Sequence, residues 1–184
     1  HRMFISNSHG IDVGIIKRIE YFIKSPWSDY GYDLVKAELK RFRPDIAHVH
    51  NFFFIFSPKI FQAFWEEKIP VVVTLHNYRL VVPCSQMIYK GKPCEICLGK
   101  NPWRIIFKRC YKNSFFASMF RYRFYYQSQI RHNWWRYINK FIVLSNNGRD
   151  ILIKGGLPAN KIVAKPNFIN DPSPKEISGG YGAL

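Results

Sequence analysis

Acidic residues are absent from Ile96 to Arg149, although this stretch contains eleven lysines and arginines. The whole chain of 184 residues carries a formal net charge of +16, from 28 basic and 12 acidic residues. The charged flank of an ordinary soluble helix mixes both signs, so a long stretch of one sign excludes the ordinary pattern and favours an anionic partner. The same stretch is dense in tryptophan, tyrosine and phenylalanine.

Long apolar runs are absent as well. No run approaches the roughly 18–20 residues of a transmembrane helix, and the beginning of the sequence shows no signal-peptide pattern. We therefore expect a cytoplasmic protein, with at most a peripheral attachment to the inner face of a membrane. Hydrophobic residues make up 47% of the chain, which excludes a disordered protein. The length is sufficient for one sizeable domain with its own core.

Two histidines, His50 and His76, each follow a short run of apolar and β-branched residues. Such runs predict buried parallel strands. Between them, Ser57 can cap a helix and Pro58 suits its first position, which predicts a strand–helix–strand unit over residues 45–78 with a right-handed crossover. Both imidazoles then lie at the carboxyl edge of the sheet, where open α/β sheets bind ligands. The alternative is two hydrogen-bonded loop residues, but two histidines at one edge, each followed by asparagine, favour a site.

Further helices and strands are predicted along the rest of the chain. Capping residues with apolar stripes predict helices, and short apolar runs predict strands. They are helices over residues 11–24, 28–42 and 113–139, a strand over 140–144, a short helix from Ser145 or Asn146 to Gly155, and a strand over 161–165. Strands that alternate with helices predict an α/β fold with a largely parallel sheet.

The four cysteines all lie in one irregular segment, residues 79–112. Two interpretations remain open. Four thiolates could hold a structural zinc ion that organises a loop too poor in regular structure to fold alone. Alternatively, they are ordinary reduced or redox-active cysteines. Structural disulfides are less favoured because nothing signals export. The residues concerned are Cys84, Cys94, Cys97 and Cys110.

Taken together, these segments resemble the N-terminal domain of family 4 glycosyltransferases, which have the two-domain GT-B fold. The resemblance extends in the same order over most of residues 40–170. It is carried by Arg43-Pro-Asp-Ile-Ala-His-Val-His-Asn51, Ser57-Pro58, Ile69-Pro-Val-Val-Val-Thr-Leu-His-Asn-Tyr-Arg79, Cys94-Glu-Ile-Cys-Leu-Gly-Lys100, Arg109-Cys110, Phe141-Ile-Val-Leu-Ser145, Gly155-Gly-Leu-Pro158 and Lys161-Ile-Val-Ala-Lys-Pro-Asn-Phe168.

The resemblance implies a Rossmann-like, acceptor-binding domain of a retaining enzyme that moves a sugar from a nucleotide-sugar donor to a saccharide or lipid-linked acceptor. We expect this transfer to serve the synthesis of cell-surface polysaccharide. The reaction needs no metal in that family. The resemblance implies that His76 contacts the transferred sugar and is the catalytic residue. Substrate binding is assigned to His50, Asn51, Asn77, Tyr78, Arg79 and Ser145.

The resemblance also implies a division of the chain. Residues 1–170 would form the acceptor-side domain, without the first strand and glycine-rich loop with which family members begin. Residues 171–184 would be a linker and the first residues of a C-terminal domain that binds the donor. We therefore expect the chain on its own to be inactive in sugar transfer.

The basic and aromatic stretch is assigned to a membrane or acceptor surface, because long basic side chains reach anionic headgroups while aromatic rings settle at the interface. If the aromatic residues are core instead, the cations only keep the protein soluble. Two other functions compete with the enzyme: a nucleic-acid-binding module and a zinc-stabilised interaction domain without chemistry. We do not expect nucleic acid, because no RNA-recognition motif is present. The residues assigned to the surface are Arg121, Arg123, Arg131, Trp134 and Trp135.

Overall fold

The computed structural model describes residues 25–52 and 56–167. The helix expected over residues 11–24 and the linker expected after residue 170 lie outside the described residues. The division of the chain into residues 1–170 and 171–184 therefore stays a prediction.

Helices and strands alternate along the described chain. In order, they are α1 (Asp29–Arg41), β1 (Ala47–His50), α2 (Ile60–Glu66), β2 (Val71–Leu75), β3 (Ile88–Tyr89), β4 (Lys92–Pro93), α3 (Arg104–Phe107), α4 (Phe115–Tyr125), β5 (Lys140–Val143), α5 (Asn146–Lys154) and β6 (Ile162–Ala164). A π-helical turn, Tyr126–Arg131, extends α4, and short 3₁₀ turns occupy Ser25–Trp27, Trp134–Tyr137 and Ala159–Lys161.

Four of these strands form one sheet in the order β1-β2-β5-β6. Each neighbouring pair is parallel, so all four carboxyl ends lie at the same edge. The sequence predicted each of these strands from its apolar run. The prediction of a Rossmann-like α/β fold, with a largely parallel sheet flanked by helices, is confirmed.

The core lies where α2, β2 and β5 meet the turn after the π-helix. Phe61, Trp134 and Phe141 are fully buried there. The Phe61 and Trp134 rings stack with centroids 5.0 Å apart, and Trp134 meets Phe141 edge to face at 6.2 Å. A fully buried side chain of this kind stabilises the fold by roughly 1.5–3 kcal/mol relative to an exposed one.

Two predicted helix caps are confirmed. The Ser28 hydroxyl accepts the Tyr30 N–H at the start of α1, and the Ser145 hydroxyl accepts the Gly148 N–H at the start of α5. Each satisfies a backbone donor that a helix leaves unpaired in its first turn.

The third predicted cap is wrong in position, since α2 begins at Ile60 and not directly after Ser57. The Ser57 side chain is buried, and its hydroxyl accepts the backbone N–H of Ser28 at 2.9 Å. It also accepts the Lys59 N–H, within the turn that leads into α2. The Ser57 hydroxyl therefore contacts a distant segment, at Ser28, and Ser57 lies three residues before the start of α2.

The cysteine-containing segment is mostly irregular, but it contains a small hairpin. Strands β3 and β4 pair antiparallel across Lys90 and Gly91, both of which have positive φ angles. The pairing of these two strands was not predicted from the sequence.

Candidate active site

His50 and His76 lie next to each other at the carboxyl edge of the sheet. His50 is the last residue of β1, and His76 directly follows β2. Their side chains meet through ring nitrogens, because His50 Nδ1 and His76 Nε2 are 3.0 Å apart. The sequence predicted this proximity from the ends of two neighbouring parallel strands.

A third histidine and a buried threonine extend the pair along the same face. His48 lies two residues before His50, so both side chains project from the same side of β1, with ring centroids 4.3 Å apart. His48 Nε2 is 2.8 Å from the hydroxyl oxygen of the buried Thr74. Sequence reasoning missed His48 and Thr74. The alternation of side chains along a strand could have identified them, because His48 precedes His50 by two residues and Thr74 precedes His76 by two residues.

The hydrogen bond between the two rings couples their protonation. One of the two facing nitrogens must donate a proton and the other must accept it. If His50 donates, neutral His76 carries its proton on Nδ1; if His76 donates, its Nδ1 is a bare acceptor. The position of one proton thus decides what His76 offers to a ligand. Partial burial lowers the pKa of His50, and the neighbouring His48 and His76 lower it further, which favours the neutral form of His50.

A shallow cavity, which with the adjoining open solvent amounts to about 270 Å³, lies beside this pair. Asn51, Thr74, His76 and Asn77 supply its polar lining, together with the apolar side chains of Phe52, Val73, Leu75 and Leu80. His50 is not among these lining residues and contacts His76 from outside the cavity. A wall in which apolar side chains accompany a few converging polar groups is typical of a small-molecule site.

The loop after His76 is held by its own side chains. The Asn77 side-chain oxygen accepts the Arg79 N–H at 3.0 Å, while Tyr78 packs against the core. Gly155, at the end of α5, lies so close to Val81 that an added Cβ would come within 2.6 Å of a Val81 methyl carbon. The absence of a side chain at residue 155 therefore lets this loop pack against α5.

Arg79 does not line the cavity beside His76. Its Nε donates to the Ser85 hydroxyl at 3.0 Å, and its side chain lines a second cavity of about 190 Å³ together with Arg121. Burial lowers the pKa of Arg121 to about 10, with a smaller contribution from nearby Arg79. Arg79 is thus placed with another cation, away from His76.

Ser145 lies at the same sheet edge, two residues after β5, the neighbour of β2. Its hydroxyl is engaged as the cap of α5, and it lines neither of the two cavities. A structural role accounts for Ser145, and its predicted contact with substrate stays a prediction.

The four cysteines carry free thiols. Burial raises the pKa of Cys97 to about 12 and also raises the pKa of Cys84 and Cys110. Within residues 25–52 and 56–167, no group of three or more His, Cys, Asp or Glu side chains is placed so that it could hold a metal ion. The zinc ion therefore stays a prediction.

The predicted basic and aromatic surface requires a correction. Arg121 is 2% exposed and Trp134 is 0% exposed, so neither can contact a membrane. The Arg121 Nε donates to the Pro83 carbonyl, which draws the guanidinium inward, and Trp134 belongs to the core. Arg123 and Trp135 are half-buried, and Arg131 is exposed. No helix in the described part of the chain has the length and apolar character to cross a membrane.

Comparisons with known proteins were made at the levels of whole sequences, solved structures and family profiles. Searches of curated proteins and of solved structures found no match. The profile described as Glycosyltransferase Family 4, however, matches residues 7–171 of the 184. This match includes the sheet, the histidine pair and the cysteine-containing segment, and it supports a glycosyltransferase role with a sugar donor and an acceptor as partners. The chain therefore belongs to glycosyltransferase family 4.

Proposed function

We propose that this domain binds the acceptor of a retaining glycosyltransferase, in which His76 contacts the transferred sugar. The sugar would come from a nucleotide-sugar donor and pass, without a metal, to a saccharide or lipid-linked acceptor of cell-surface polysaccharide. The observation that carries the proposal is the hydrogen-bonded pair of His50 and His76 beside the cavity at the carboxyl edge.

His76 is suited to this role because one of its ring nitrogens is bonded to His50 and the other is available to a ligand. Nε2 is held by His50, which restrains rotation of the ring and leaves Nδ1 for a ligand. A sugar hydroxyl can both donate and accept, so either proton arrangement of the pair allows a hydrogen bond from the sugar to Nδ1. Such a bond accelerates the reaction if it strengthens as charge develops in the transition state.

The other polar groups of the cavity are suited to orienting a hydroxylated substrate. Asn51 follows β1 with a positive φ angle of 42°, a conformation that asparagine tolerates better than most residues. Its amide lines the cavity with that of Asn77. Because the Asn77 oxygen is already engaged with Arg79, its NH₂ group is the part that remains for a ligand.

The test is turnover of the full-length enzyme, measured as nucleotide release from a panel of nucleotide sugars. His76→Ala should lower kcat by roughly 10²-fold or more, the usual cost of removing one group that binds developing charge. The matched control is His132→Ala, which removes an imidazole that stacks on Trp27. Both variants must keep the wild-type circular dichroism spectrum. Turnover of His76→Ala near that of the wild type would remove His76 from the site.

A further inference from the structure

Four aromatic rings form a continuous exposed patch on α3 and the start of α4. Trp103, Phe107, Phe115 and Phe116 are 47%, 71%, 38% and 73% exposed. The ring centroids are 6.0 Å apart between Trp103 and Phe107, 6.2 Å between Phe107 and Phe115, and 5.7 Å between Phe115 and Phe116. Single exposed apolar side chains are ordinary on a protein surface, whereas a contiguous cluster marks an interaction site. We call these four residues the aromatic patch.

The local fold holds the aromatic patch outward. Ile105 is fully buried and anchors α3, while its neighbours Trp103 and Phe107 remain at the surface. The Ser118 hydroxyl accepts the Tyr111 N–H at 3.0 Å, which fixes the link between α3 and α4. The exposure of the rings is therefore imposed by an ordered backbone.

Exposed cations accompany the aromatic patch along residues 103–116, and one of them, Arg104, lies over the Trp103 ring at 5.6 Å. Arg104, Lys108, Arg109 and Lys112 are all exposed, and none of them has a carboxylate partner in the part of the chain that the structure describes. The nearest acid in the sequence on the N-terminal side, Glu95, is paired with Lys154. Positive charge without carboxylate partners, on the same segment as exposed apolar rings, complements a surface that is apolar inside and anionic outside.

The structure assigns the aromatic patch and its four cations to docking on an anionic membrane surface. The rings enter the interfacial layer, while the long basic side chains reach lipid phosphates. The ring geometry favours lipid over nucleic acid. Neighbouring rings meet at interplanar angles of 81°, 70° and 89°, so they do not present the parallel faces on which successive bases stack.

This surface differs from the one expected from the sequence. The expected set included Arg121 and Trp134, which are buried, whereas the aromatic patch lies earlier in the same basic stretch. The docking surface shares no residue with the histidine pair or its cavity. A variant of the docking surface can therefore lose membrane binding and keep sugar transfer, and a variant of the histidine pair can lose sugar transfer and keep membrane binding.

The test is sedimentation of the full-length protein with vesicles of phosphatidylcholine alone or mixed in equal parts with phosphatidylglycerol. Each cation near an anionic surface contributes about fivefold to the partition coefficient, so Arg104→Glu/Lys108→Glu should lower binding to the anionic vesicles by roughly 25-fold or more. Phe107→Ser/Phe116→Ser should lower it by about tenfold or more, and this loss should persist at high salt because it is apolar.

The matched controls are Lys40→Glu/Lys68→Glu and Tyr30→Ser/Phe42→Ser, which change exposed side chains of the same types outside the aromatic patch. Both should bind vesicles as the wild type does. The proposal is overturned if the wild type binds neither vesicle at low salt, or if the patch variants bind as tightly as their controls. The proposal is also overturned if the wild type does not bind vesicles but self-associates or binds nucleic acid, and the patch variants abolish that association.

Discussion

His50 should act on catalysis through the ring of His76 and not through the substrate, because it contacts His76 but does not line the cavity. Replacing His50 by leucine removes the Nδ1 that holds His76 Nε2 while keeping an apolar side chain of comparable size. One hydrogen bond of this kind contributes about 0.5–1.5 kcal/mol net, which corresponds to roughly a two- to tenfold loss of kcat. That loss is well below the roughly 10²-fold loss expected for His76→Ala.

A double-mutant cycle separates positioning from direct contact. In the His76→Ala background, His50→Leu should have almost no further effect, since the ring that it positions is gone. His50→Asn places an amide close to the former Nδ1 and should recover much of the loss. The measurements are kcat and KM of the full-length enzyme, together with the tautomer of His76 from ¹⁵N NMR.

Two outcomes would refute the positioning role of His50. In one, the costs of the single variants simply add in the double variant, which would mean that His50 contacts the substrate itself. In the other, the His76 tautomer and kcat are the same in the wild type and in His50→Leu, which would mean that the hydrogen bond does not restrain His76.

Three further predictions concern stability and metal. Ser145→Ala should lower the free energy of unfolding by about 1 kcal/mol, the usual cost of losing a cap, and leave kcat unchanged. A large fall in kcat, in a variant that urea unfolding shows to be stably folded, would instead indicate that Ser145 contacts the substrate. Because the folded pKa of His50 is lowered, its contribution to stability is present above its ordinary pKa and is lost as pH falls through the folded pKa. Urea unfolding below about pH 6.5 should therefore show a steeper loss of stability for the wild type than for His50→Asn, and parallel curves would contradict this. If the cysteines bind zinc, metal analysis of the reduced protein should find about one zinc per chain, and the Zn–S distances should be about 2.3 Å. Freely titratable thiols in a protein without zinc would exclude the site formed by Cys84, Cys94, Cys97 and Cys110.

The sheet and the histidine pair could be predicted from the sequence because both depend on short-range patterns. A buried parallel strand is nearly all apolar, so the runs before His50 and His76 identify β1 and β2 directly. The parallel order then requires their carboxyl ends to meet. What remained unpredictable was the exact ring contact, which depends on the register between the two strands.

The burial of individual cations and aromatic residues could not be predicted in the same way. Arg121 and Arg131 belong to the same basic stretch, yet Arg121 is buried because a distant carbonyl, that of Pro83, accepts from its guanidinium. Trp134 is buried because Phe61 and Phe141 close around it. Contacts between distant parts of the chain decided both cases, and composition carries no information about them.

The register of the sheet links the stability of the core to the chemistry of the site. His50 lies opposite Thr74, and His76 stands two residues beyond Thr74, so both histidines project from the same face only in this register. A slip by one residue would turn one ring to the other face. The register is held at the far end of the two strands, where the Ala47 N–H donates to the Pro70 carbonyl at 2.9 Å. The first residue of β1 and the last residue before β2 thus help to determine whether two imidazoles meet at the opposite edge.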